Sequence, residues 1–329
     1  MLSLFKHSYL SQYFVIIMMA IALWMPAFIT KSAFIPSEGT TFLYNFIISI
    51  FDFSPFVLNI LAFAVYVTSI FLFNSVLSAN RLVTKNNTVG ALSFVLMMCC
   101  SPQLHSCYPF IFACPFILMA MHTLFLIYQT DNPENYMMNI GYFIAIASLF
   151  YYPSVFLILW VIVSFFILGF REIRYILIPL TGFMLVNGLC IGMAILFGNI
   201  DMLLDSYSNF FRNINFFYDL KGSDNILLII FSVLFLISLL RTISNKTSDK
   251  GSNIRKRVGV AIVLTLFAIV MFFMHSPLMN NSLIFMMFAF FYAIVLSDVK
   301  KTKIVNLITV IVTLMILANQ YLPLFGIII

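Results

Sequence analysis

The side chains best suited to chemistry in this sequence are two carboxylates and two cations, set in polar segments of an otherwise apolar chain. Glu38 and Asp52 lie between the first two apolar runs. A carboxylate desolvated at a membrane surface has its pKa raised and becomes usable as a general base. A solvated loop charge is the other reading of both. Arg212 and Lys221 lie in a later segment, residues 199–225, where acids, aromatics and bases alternate. Aromatics among charges suit the membrane interface. There the two cations could hold a lipid phosphate, or they could pair with Asp205, Asp219 or Asp224.

Histidine and cysteine offer less. His7, His105, His122 and His275 are far apart in sequence, whereas a metal site on facing helices wants several ligands at helical spacing. His122 falls inside an apolar run, where a polar side chain hints at function; a packed, hydrogen-bonded imidazole is the plainer reading. Cys99, Cys100, His105 and Cys107 cluster around one short connection. That cluster could take a metal, or Cys100 and Cys107 could pair in an oxidising compartment. Buried thiols behaving as small apolar groups are the favoured reading, and no metal site is assigned. No phosphate-cradling Gly-rich loop, GxSxG elbow or HExxH motif occurs, and no cofactor is indicated.

The elements that must position these residues follow from composition. The chain has 329 residues, 63% hydrophobic and only 9% charged. A soluble domain carries roughly 25% charged residues, so lipid must solvate much of this surface. Spans must then be helices or a closed barrel. The runs Phe56–Phe73 and Val155–Phe170 are continuous, without the period-two alternation of a barrel. The expected class is all-α, a polytopic membrane bundle forming one domain over residues 1–329.

Crossing the hydrocarbon takes roughly 17–25 apolar residues. Eleven candidate spans result: Tyr13–Ile29, Phe56–Leu77, Val89–Cys100, Tyr108–Tyr128, Met138–Tyr151, Ser154–Phe170, Tyr175–Phe197, Ile226–Leu240, Val258–Met274, Ser282–Leu296 and Ile304–Leu322. Val89–Cys100 and Met138–Tyr151 are short for a crossing. They would be tilted, extended by polar turns, or buried as partial spans; without both, nine spans remain. The first run is followed by Thr30, Lys31 and Ser32 rather than a small-x-small cleavage site, and reads as a retained signal anchor.

Charge placement supplies the orientation. The formal net charge is +6. With the N-terminus in the cytoplasm and every span crossing, the cytoplasmic loops hold all the basic residues except Lys31, Arg212 and Lys221. That is the asymmetry of the positive-inside rule, so the positive charge reads as topology and not as a nucleic-acid surface. The C-terminus falls in the periplasm. Arg81, Arg171 and Arg174 read as helix-end anchors on the cytoplasmic side.

Two stretches carry a family resemblance. Ala79–Pro102, "ANRLVTKNNTVGALSFVLMMCCSP", and Asn139–Gly182, "NIGYFIAIASLFYYPSVFLILWVIVSFFILGFREIRYILIPLTG", together resemble an uncharacterised polytopic membrane family of Bacteroidota. The second stretch has a short apolar segment with Gly141, then Ala147-Ser148-Leu149, an aromatic pair and Pro153 opening a full span. It is similar to a unit recurring in GT-C glycosyltransferases. That resemblance implies a polyprenyl-phosphate-linked sugar as substrate. It also implies acidic catalytic residues in the first outer loop, a role that falls by position to Glu38 or Asp52. Lipid-phosphate contacts in a later outer loop fall likewise to Arg212 or Lys221. Instead of the clustered acids many members show there, this chain has two separated ones.

Three functional classes therefore stand at the level of sequence. The first is a GT-C-like transferase of the inner membrane. The second is a non-catalytic subunit or scaffold working with membrane-protein partners. The third is a transporter, ranked last because no Asp, Glu, Lys or Arg falls centrally in a candidate span.

Overall fold

The computed structural model describes residues 5, 10–30, 41–51, 54–84, 87–101, 104–127, 130, 132–197, 200, 222–248, 252–274, 282–299 and 302–322. Every regular element among them is helical: α1 (Leu10–Thr30), α2 (Phe42–Phe51), α3 (Pro55–Ala79), α4 (Val89–Met98), α5 (Pro109–Leu126), α6 (Pro133–Phe150), a 3-10 turn (Tyr152–Phe156), α7 (Leu157–Leu168), α8 (Ile173–Leu196), α9 (Gly222–Ser248), α10 (Ser252–Met274), α11 (Leu283–Asp298) and α12 (Thr302–Tyr321). Among the described residues, five helices are long and apolar enough to cross a membrane. Their apolar stretches are Ser11–Ile29, Pro55–Ala79, Pro109–Leu126, Ile173–Leu196 and Ile226–Ser244.

Local sequence explains where the helices begin and end. Pro55, Pro109 and Pro133 open α3, α5 and α6, where a missing N–H costs nothing and φ is already helical. Gly169, at φ 101°, closes α7 in the left-handed conformation that a glycine reaches without strain. Arg81 does the same for α3 at φ 54°. Its N–H bonds to Ser78 O at 3.1 Å, and Leu82 N–H bonds to Leu77 O at 3.1 Å. The arginine expected to anchor a helix end is thus the residue that turns the chain.

The two short candidate spans resolve differently. Met138–Tyr151 is the apolar part of α6, an 18-residue helix that a polar turn from Pro133 extends. Val89–Cys100 becomes α4, only 10 residues long. At 1.5 Å per residue that is about 15 Å, half the hydrocarbon thickness. Every residue of α4 is buried. It packs along α11, which is buried at all positions but Val295 and Asp298. A helix apolar on every side belongs in a core, and these two form the centre of the bundle.

Lipid is as apolar as leucine, so helices within a membrane associate through close packing and hydrogen bonds. The closest packing joins α6 to α8. A Cβ on Gly141 would collide with Pro179 O, and one on Gly182 would stand 2.7 Å from Met138 O. The contacts Glu134–Arg174, Met138–Gly182 and Leu149–Cys190 advance together along both helices. The two therefore run parallel, with α7 returning between them. The outer side of α8 is largely exposed and apolar, including Leu177, Met184, Leu185, Leu189 and Ile195.

Candidate functional site

Glu38, Asp52, Arg212 and Lys221 all lie outside the described residues. The structure does fix the helix between the two acids. Thr41 Oγ donates a hydrogen bond to Phe150 O at 2.7 Å, at the C-terminus of α6. Tyr44, fully buried in α2, donates its hydroxyl proton to Cys107 O at 2.8 Å and packs edge-on against Phe112 of α5. The short helix α2 is thus fastened to the ends of α5 and α6. Asp52 is the next residue in sequence after its last residue, Phe51.

Beneath α2 lies a break in the helical core. After α4 the described residues 99–101 and 104–108 lie outside any α-helix, and α5 begins at Pro109. Cys99, Cys100, Ser101, Leu104, His105, Ser106, Cys107 and Tyr108 are all buried. The start of this stretch is level with the middle of α3, because Tyr66 OH, midway along that helix, meets Cys99 Sγ at 3.1 Å. Irregular backbone at such depth survives only when buried in protein or lining water.

The end of α12 supplies the partners. Gln320 Nε2 donates to Cys99 O at 2.7 Å and stands 3.2 Å from His105 Nε2. Asn319 Nδ2 donates to Cys100 O at 3.4 Å. These bonds cap the C-terminal carbonyls of a helix that stops inside the protein. Gln320 donates to His105 Nε2 where that nitrogen accepts, in the tautomer that carries its proton on Nδ1. Trp24 of α1 stacks edge-on against His105, with centroids 5.5 Å apart, and also packs against Tyr66.

A second polar centre sits at the other end of α3. Arg257, in the first turns of α10 and 3% exposed, donates from Nη1 to Asn80 O at 2.5 Å. Its Nε and Nη2 both reach Phe125 O at 3.4 Å. Asn80 Nδ2 lies 3.0 Å from His122 Nδ1. The guanidinium thereby meets the C-terminal carbonyls of α3 and α5, where two helix dipoles present their negative ends. Lys256 does likewise for α7, donating to Leu168 O at 3.1 Å. His122 is a packed, hydrogen-bonded histidine, as its plainer sequence reading has it.

All five cysteines are buried and none is in a disulfide. Burial pushes the Cys107 thiol up to about 12, against a smaller opposite pull from the Tyr44 hydroxyl. A thiol so raised is a poor nucleophile and a poor metal ligand at neutral pH. Among the described residues, no three His, Cys, Asp or Glu side chains converge as metal ligands. Gln320, Asn319, Trp24 and Tyr66 carry no motif, and their role emerges only from the fold. The one available signal was a pair of adjacent amides, Asn319-Gln320, closing an apolar run.

Comparison with protein-family models and with curated proteins found no match, so the site is read from its own geometry.

Proposed function

We propose that this is a multi-pass protein of the cell inner membrane that works as a GT-C-like transferase on a polyprenyl-phosphate-linked sugar. In this reading the N-terminus is cytoplasmic and the C-terminus periplasmic; ten of the eleven apolar segments cross as helices, and at the third the half-length α4 and the buried residues that follow it carry the chain to Cys107 on the outer side. The described cations Arg81, Lys256 and Arg257, joined by the helix ends they bond or close, mark the cytoplasmic end. Glu38 or Asp52 deprotonates the acceptor at the opposite end, and Arg212 and Lys221 hold the departing lipid phosphate. The observation that carries this reading is the docking of α2. A short helix in the first outer segment is pinned through Thr41 and Tyr44, and the two acids lie to either side of it in sequence.

The test is the double variant E38Q/D52N in cells, with protein levels checked in the membrane fraction. Loss of one envelope glycan at normal protein level is expected. An unchanged glycan profile at normal level overturns the catalytic role.

A second reading, a non-catalytic subunit of an envelope complex, is favoured by the uncharged interior. Among the described residues, Arg257 is the one charged side chain buried. Purification in mild detergent would then bring down a stoichiometric membrane partner, whereas a lone monodisperse monomer counts against it.

A further inference from the structure

Buried polar atoms without partners are rare in folded proteins and call for a cause. Two of them flank the break between α4 and α5. Gln320 has both its amide hydrogens engaged, toward Cys99 O and His105, and its Oε1 accepts no hydrogen bond. Trp24 Nε1 has no hydrogen bond of good geometry, and its one partner is the weak acceptor Cys99 Sγ. Ser101 Oγ, in the same irregular stretch, is a third such atom. The three residues are at most 2% exposed.

They come from three separate elements, and two of them meet around one imidazole. Trp24 touches the His105 ring, Gln320 reaches its Nε2, and Ser101 lies two residues past the Cys99 carbonyl that Gln320 also binds. The set comprises one pure donor, one pure acceptor and one hydroxyl that does either. It carries no formal charge, so neither a metal cation nor an anion suits it. Water is the ligand that accepts from an indole and donates to an amide at once.

We infer that the break between α4 and α5 is an internal hydration site, where water serves Trp24 Nε1, Gln320 Oε1 and Ser101 Oγ beside His105. The site bridges the carbonyl end of a half-length helix to the last turn of α12 and gives a buried imidazole a solvated neighbour. It stands apart from the transferase reading, since none of its residues belongs to the proposed acid or phosphate positions.

The chain contains its own control. Its two tryptophans are equally buried, but Trp160 Nε1 donates to Val260 O at 3.0 Å. Millisecond X-ray radiolysis makes hydroxyl radicals from resident water and oxidises the side chains touching it. With the full chain in nanodiscs, mass spectrometry should find Trp24 and His105 labelled several-fold faster than Trp160. Equal protection of the two indoles overturns the proposal. In the variant Q320L, Trp24 labelling should fall toward that of Trp160; unchanged labelling removes Gln320 from the site and overturns the proposal as stated. If Q320L fails to accumulate, the wild-type comparison of the two indoles decides alone.

Discussion

A Cβ placed on Gly141 would collide with the carbonyl oxygen of Pro179. The backbones of α6 and α8 therefore touch directly, and any larger residue must push the helices apart. Overpacking of this kind costs about 1–3 kcal/mol, and the lost close contact adds to it. The variant G141A should melt well below wild type in detergent, and G182A should behave alike because its Cβ would meet Met138 O at 2.7 Å. Gly188 and Gly192, on the same α8, have open space where a methyl would go, with nothing within 4 Å of it. Alanine there should leave the melting temperature unchanged. Equal melting of G141A and G188A would show that the crossing is looser than described.

Arg257 offers a second test, on the other end of the bundle. Its guanidinium serves Asn80 O and Phe125 O, on two helices. A lysine keeps the charge but has no planar fork to span both carbonyls. Hydrogen bonds to a charged group are worth roughly 1.5–3 kcal/mol, so R257K should lose about that much in thermal or denaturant unfolding. R257A strands two buried carbonyls and should fail to accumulate in the membrane. The same substitutions at exposed Arg255 should be neutral. A stable R257A would mean that the α3 and α5 ends do not depend on this cation.

The helical class was legible because composition alone forbids a soluble fold, and continuous apolar runs forbid a barrel. The ends were legible too: Arg81 and the Arg171–Arg174 turn were expected at helix termini and lie there. Gly141 and Gly182, at helical positions in two apolar runs, make the closest contact between helices among the described residues. What the chain hid was long-range. Arg255, Lys256 and Arg257 read as one basic cluster, yet Arg255 is exposed and Arg257 is buried at helix ends contributed by residues far earlier in the chain. Asn319 and Gln320 fall inside the last candidate span, Ile304–Leu322, whereas they cap α4 across more than two hundred residues. No local pattern encodes such a pairing, because its partners are backbone carbonyls and leave no side-chain signature.

Cys107 tests whether the α2 dock is closed. Burial raises its thiol from an ordinary value of 9.0 to about 12, so the native state favours the neutral form. The sign follows from linkage. The stabilisation is complete below the unfolded value near 9 and is lost progressively as the pH rises toward about 12. The thiol should resist maleimide at mildly alkaline pH in the folded protein and react on unfolding. Y44F removes the hydroxyl that Cys107 O accepts from and should cost about 1 kcal/mol, opening the dock enough to speed Cys107 labelling. Under the transferase reading, Y44F should also lower the glycan yield without abolishing it, because α2 loses a fastening while both acids remain. Rapid labelling of Cys107 in the wild-type protein would show that α2 is not seated on the bundle, and would remove the support on which the catalytic reading rests.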